Sequence, residues 1–203
     1  MGWQYDRKRL IDLLKRDALR TGTFTLTSGR TSHFYVDGRK VTLSAEGAAT
    51  IGAGMLDALS DLPGLDAVGG LTMGADPIVG AILAAAGARG GSNLRGFLVR
   101  QEAKGHGTGR LVEGPIEPGM VVAIVDDVAT TGGSSLRAVE AVRALGCTVA
   151  RVVVVLDRLE GAAFAFAGHH LDFRALSTIR DLGVEPLPQA ALEVEMLPPL
   201  QGP

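Results

Sequence analysis

Val121-Val122-Ala123-Ile124-Val125-Asp126-Asp127-Val128-Ala129-Thr130-Thr131-Gly132-Gly133-Ser134-Ser135 passes from an unbroken apolar run to two adjacent acids, then to a loop of hydroxyls and glycines. An apolar run without period-two alternation predicts a strand covered on both faces, and such strands belong to parallel sheets flanked by helices. The same texture recurs at 150–156. Working outward, strands are expected at 67–70 and 96–99. Helices are expected from the Ser44 cap through Leu59, from Pro77 through Ala86, and over 134–145. Ahead of them, residues 9–19 carry a helical apolar stripe that Gly22 is positioned to stop. Residues 23–26 and 33–36 read as a hairpin around Ser28-Gly29-Arg30. The fold class is α/β, a parallel sheet with a helix-and-hairpin addition at the N-terminus.

Composition narrows the function classes. The chain has 203 residues, of which 46% are hydrophobic, with mean hydropathy +0.24. That is enough to bury a sizeable core in one domain spanning 1–203, with residues 1–40 supplying the N-terminal part. Lysine plus arginine number 20 against 22 acids, for a net charge of −2. With no block of like charge, non-specific nucleic-acid or anionic-membrane binding is not expected. Cys147 is alone, and no Cys/His spacing suits zinc. The longest apolar runs fall far short of the ~20 residues that span a bilayer, and residues 3–9 are polar, unlike a secretory leader. A soluble, cytoplasmic protein is expected. The Pro-containing tail after Glu185 is expected to lie as an extended strap.

In an open α/β sheet, ligands bind beyond the carboxyl ends of the strands. Three loops fall there, 69–76, 100–111 and 126–133. In the last, carboxylates suit the vicinal diol of a ribose. Consecutive N–H groups in a glycine turn at a helix start, with Thr and Ser hydroxyls, suit a phosphate. Acids beside a phosphate nest repel the phosphate unless a sugar separates them, so the pairing points to a ribose 5-phosphate. Taken singly, the acids could merely end a strand and Ser134 could merely cap a helix; taken together they describe a site. The stretch is neither a Walker A loop nor a G-x-G-x-x-G turn.

The loop Arg100-Gln101-Glu102-Ala103-Lys104-Gly105-His106-Gly107-Thr108-Gly109-Arg110 carries three alternating glycines and four basic side chains. Glycine-broken backbone with clustered cations suits a mobile lid that clamps a polyanion. The only lysines in the chain are Lys8, Lys15, Lys40 and Lys104, so a lysine kept inside that loop stands out.

The 121–135 stretch resembles the phosphoribosyl-pyrophosphate (PRPP) fingerprint of the type I phosphoribosyltransferases. The lid's R-x-x-A-K-x-H-G resembles the catalytic loop of the orotate phosphoribosyltransferase family. Residues 23–32, Tyr35-Val36-Asp37 and Asp157-Arg158 resemble that family too. The resemblance implies a twisted parallel sheet with a small hood, Mg²⁺ carried by PRPP without direct protein ligands, and a homodimer sharing the lid across its interface. It implies that Asp126 and Asp127 hold the ribose hydroxyls. Val128, Ala129, Thr130, Thr131, Gly132, Gly133 and Ser134 would wrap the 5-phosphate. Arg100, Lys104 and His106 would meet the diphosphate, and Thr130, Arg158 and Tyr35 the orotate, with Lys104 and Asp127 as the catalytic pair. Arg158 fits on chemical grounds, since a guanidinium fork matches the carboxylate that distinguishes orotate from uracil.

Some positions depart from the family pattern. Gln101 stands where many members have a second basic residue, and Thr27 where some have lysine. Met73-Gly74 replaces a Tyr-Lys pair, leaving the 69–76 loop to bind through backbone groups. Asp76 reads either as the N-cap before Pro77 or as a group positioning Mg²⁺. A PRPP-sensing regulator is the competing class. It would need a nucleic-acid-binding part, and the single helix before Thr21 is too little for a helix-turn-helix. Transfer to a different base is the alternative within the enzyme class, and Arg158 argues against it.

Overall fold

The computed structural model describes residues 4–25, 31–90, 93–102 and 111–186. Helix α1 (Arg7–Leu13) starts where Asp6 Oδ1 accepts a hydrogen bond from the Arg9 N–H at 3.0 Å. It runs on through a π-helical stretch, Leu14–Ala18, and buries Leu10, Leu13, Leu14 and Ala18. Gly22 does not stop this helix. The backbone is already extended at Leu19, where β1 (Leu19–Thr25) begins to pair antiparallel with β2 (Thr31–Val36). Ladder hydrogen bonds replace helical ones from that point. Gly22, with φ +149°, falls at the register shift between Thr21 and Phe24, as a bulge requires. Strand β2 buries Ser32, Phe34 and Val36 and turns His33 and Tyr35 outward.

After the short helix α2 (Arg39–Thr42), Ser44 caps α3 (Ala45–Leu59) by accepting from the Gly47 N–H at 3.0 Å. Strand β3 (Ala67–Leu71), helix α4 (Asp76–Ala88) and strand β4 (Arg95–Val99) follow. Then come β5 (Val112–Glu113), β6 (Val121–Ala129), α5 (Gly133–Ala144), β7 (Thr148–Asp157), α6 (Ala162–Gly168) and β8 (Phe173–Thr178). The sheet order is β5-β4-β3-β6-β7-β8, parallel throughout except for β5.

Successive residues of the central strands feed opposite cores, which is why their sequences are continuously apolar. Ala123, Val125, Val153 and Val155 join the layer of α1, α3 and α4. Val122, Ile124, Val152 and Val154 join that of α5 and α6. Arg151 is 4% exposed and donates to Asp61 Oδ1 at 2.6 Å, Asp172 Oδ2 at 2.5 Å and the Ala58 carbonyl at 2.5 Å. It thereby ties β7 to the end of α3 and to the residue preceding β8. No helix among the described residues is long and apolar enough to cross a membrane. From residue 187 on, the expected strap lies outside the described residues.

Candidate active site

The chain leaves β3 to form β4 on one side, and β6 returns to pair on the other. The ends of β3 and β6 are therefore the point where a doubly wound sheet opens a crevice. The two acids lie there, though not beyond the strand end as the sequence suggests. Strand β6 stays paired with β7 as far as Ala129, with Asp126 opposite Val154, while its pairing with β3 ends at Ile124. The acids are thus held by a ladder on one side and open on the other.

Asp126 is 5% exposed. Its Oδ1 accepts from the Asp127 N–H at 3.0 Å and its Oδ2 from the Ser135 hydroxyl at 3.0 Å. Asp127 Oδ1 accepts from the Val128 N–H at 2.8 Å. Burial, and next the neighbouring Asp127 charge, push the Asp126 carboxyl up to about 7. Burial also raises Asp127, against the Val128 N–H that favours its ionised form. The turn after β3, whose Thr72-Met73 bond is cis, brings Gly74 against both acids. From the hood side Gly38 is as close: a Cβ there would lie 2.7 Å from Asp127 Oδ2.

Helix α5 begins at Gly133, preceded by Gly132 at φ +85°, and no side chain caps it. Ser134 therefore lies inside the first turn and is not the cap. First-turn N–H groups lack intrahelical acceptors, so they remain available to an anion. Asp126, Arg137 and residues 128–135 enclose a cleft of about 410 Å³. Asp126 and the uncapped start of α5 share one cleft.

On either side of residues 103–110 the flanking chain is anchored. The Arg100 N–H donates to the Leu111 carbonyl at 2.8 Å, and Arg100 Nε to Glu113 Oε1 at 3.0 Å. Gln101 Nε2 donates to the Thr72 carbonyl at 3.2 Å, linking the lid to the β3 turn. Lys104 and His106 lie outside the described residues, as does Thr27. Arg158 follows β7, its N–H donating to the Ala129 carbonyl at 2.9 Å. Its side chain is buried, with the guanidinium carbon 4.7 Å over the Phe34 ring and Nη2 2.7 Å from Glu160 Oε1. That ion pair leaves Arg158 Nε and Nη2 without an aligned hydrogen bond among the described residues. Tyr35 projects from the other face of β2, beside Phe24 at 5.9 Å between ring centres. It shares the electrostatic reach of Arg39 with Asp127.

Asp76 is the first residue of α4, after Ala75, and does not cap it. The main chain has already turned helical at Ala75, so Asp76 falls one position too late. Its Oδ2 is buried and has no hydrogen-bond partner among the described residues, beside a second cleft of about 640 Å³ bounded by Lys40, Leu43, Met73 and Pro77. No group of three or more His, Cys, Asp or Glu able to hold a metal occurs among the described residues. A free carboxylate oxygen is nonetheless the hard donor that Mg²⁺ takes. Sequence reading missed Gly38, Phe34, Arg39, Ser135 and Glu160 as parts of the site. Of these, only Ser135, the last residue of the fingerprint stretch, carried a signal.

This combination of buried acids, glycine-led helix start and switch point defines a phosphoribosyl-transferring domain, and residues 66–165 match the phosphoribosyl transferase domain family. Over 188 residues, 89% of this chain and 96% of the relative, the sequence is 48% identical to the orotate phosphoribosyltransferase of Rhodopirellula baltica. The orotate phosphoribosyltransferase of Mycobacterium tuberculosis H37Rv in complex with Fe(III) dicitrate superposes with a TM-score of 0.78 at 41% identity, covering 88% of this chain and 99% of that one. The same enzyme in complex with PRPP gives 0.74 at 38% identity, covering 88% and 99%. The chain belongs to the orotate phosphoribosyltransferase family.

Proposed function

We propose that this chain transfers the phosphoribosyl group of PRPP to N1 of orotate, giving orotidine 5′-monophosphate and pyrophosphate in pyrimidine synthesis. The observation that carries the reading is the cleft of about 410 Å³ in which buried Asp126 meets the uncapped start of α5. Asp126 and Asp127 hold the ribose hydroxyls, and residues 128–134 receive the 5-phosphate. Arg100, Lys104 and His106 meet the diphosphate. Arg158, buried and ion-paired with Glu160, meets the orotate carboxylate through its remaining N–H groups, with Thr130 and Tyr35 beside the base.

The bond from C1 to the diphosphate oxygen breaks, its electron pair leaving on the diphosphate, and orotate N1 forms the new bond to C1. The N1–H proton of orotate is lost as that bond forms and passes to the departing diphosphate, whose oxygens become more basic as the C1–O bond breaks, so no strong protein base is required. The ribose gains positive charge as it reacts, and carboxylates fixed beside it stabilise that charge without reorganising. The rest of the rate comes from positioning two bound substrates. Mg²⁺ bound with PRPP supplies neutralisation of the leaving diphosphate, and Asp76 is the residue placed to help hold it. Closing the 100–111 lid excludes water that would otherwise hydrolyse PRPP.

Hood and sheet act as one catalytic domain in the cytoplasm, in a homodimer whose lids cross to the neighbouring site. Steady-state assays with PRPP and orotate, uracil, adenine or hypoxanthine test the reading. Turnover with orotate alone is expected, and equal turnover with uracil would refute the role given to Arg158.

A further inference from the structure

Ser135 lies in the first turn of α5, is 2% exposed, and donates its hydroxyl across the cleft floor to Asp126 Oδ2 at 3.0 Å. Serines in helices commonly bond back to a carbonyl of their own helix; this one reaches a carboxylate on the neighbouring strand. We infer that Ser135 is a positioning residue that keeps Asp126 an oriented, ionised acceptor for a sugar hydroxyl. The inference rests on the reading that Asp126 receives the ribose of PRPP.

An ionised carboxylate only accepts, with about two lone-pair directions on each oxygen. In Asp126, Oδ1 spends one on the Asp127 N–H and Oδ2 one on Ser135. Each oxygen keeps another for substrate, and the two bonds fix the plane of the carboxylate. A protonated Asp126 would carry a donor in that plane and lose an acceptor.

The surroundings make ionisation hard. On β6, Asp127 repels a second charge. On β7 the facing residue is Val154, and the 72–75 turn presents the Gly74 backbone. On the hood side Arg39 attracts, but it acts on Asp127 and is itself paired with Asp37 at 2.8 Å. On α5, Arg137 lines the outer cleft. Among the described residues, Ser135 is the neutral side-chain donor that meets Asp126, whose carboxyl also meets that of Asp127. Its hydroxyl and the Asp127 N–H both favour the ionised form against burial.

The test is Ser135→Ala, with Ser135→Thr as the conservative control, read in the PRPP complex and in the unliganded protein. Carbon-13 NMR of the carboxyls follows the Asp126 titration, and calorimetry follows PRPP affinity against pH. In Ser135→Ala, Asp126 should titrate at higher pH. PRPP affinity should fall about tenfold near neutral pH, the scale of one hydrogen bond to a charged group, and recover most of that loss by about pH 9. Ser135→Thr should restore both. An unshifted titration, or a loss equal at every pH, would overturn the role of Ser135. A shifted titration with unchanged PRPP affinity would instead overturn the assignment of Asp126 to the ribose. Should Ser135→Ala fail to fold, Ser135→Cys, which keeps the volume but donates weakly, carries the same readouts.

Discussion

Gly74 stands against Asp126 so closely that a Cβ on it would lie 2.6 Å from Asp126 Oδ1 and 2.9 Å from Asp127 Oδ1. The turn after β3 and the acids of β6 are therefore one packed unit, joined across the sheet's switch point. Met73-Gly74 brings bare backbone to the carboxylates, while Met73 itself is 68% exposed.

Gly74→Ala should then push the turn or the acids apart. The separation is below any real carbon–oxygen contact, and the carboxylates it would meet are held in place by the Asp127 and Val128 N–H groups and the Ser135 hydroxyl. PRPP affinity is expected to fall at least about tenfold, with a lower melting temperature. Calorimetry against PRPP and a thermal melt check both, and unchanged values would show that the turn yields freely.

Asp126→Asn should stabilise the empty fold in a pH-dependent way. In the folded chain Asp126 titrates near 7, mainly through burial, whereas the unfolded chain ionises it near 3.8. Its contribution is thus fully present below the unfolded value and is lost as pH rises through the folded value. The melting-temperature difference between Asp126→Asn and the parent should be near zero around pH 4 and positive above about pH 7. PRPP turnover should be lost at every pH. A difference that does not change with pH would contradict the buried-acid account.

Arg158 is best removed together with its partner. Arg158→Ala alone would remove one side of a buried ion pair whose other member, Glu160, is 6% exposed. In Arg158→Ala combined with Glu160→Gln, KM for orotate should rise by about tenfold or more. PRPP affinity by titration should stay within about twofold, because only the carboxylate loses its partner. Equal losses for both substrates would remove Arg158 from the orotate site.

Lid sharing is tested by mixing two inactive proteins, Lys104→Ala and Asp127→Asn, under conditions of subunit exchange. If each lid serves the neighbouring site, a mixed dimer has one site with both defects and one with none. About half the dimers are mixed, so activity should return to roughly a quarter of the parent level. Proven exchange without recovery would place the lid in its own subunit's site.

The apolar runs at 121–125 and 152–156 were legible as sheet core because each strand feeds two hydrophobic layers, and that requirement is written in every residue. The elements after β7 were not. Helix α6 is seven residues rich in alanine, and β8 mixes Arg174 and Ser177 with Leu176. Neither carries a clear period; β8 is placed by pairing with β7, and α6 by Phe166 packing on Phe173 of β8. The acid pair and glycine loop were also legible, since local chain order alone delivers them from strand to helix start. What surrounds them was not. Gly74, Glu160 and the Phe34–Gly38 stretch reach the site from three separate segments, and their meeting depends on strand order and on the hood folding back. Local sequence determined which groups do chemistry here. Tertiary structure decided how dry they are and which neighbours hold their charge, because burial and electrostatics are set by whatever packs around a group, wherever it lies in the chain.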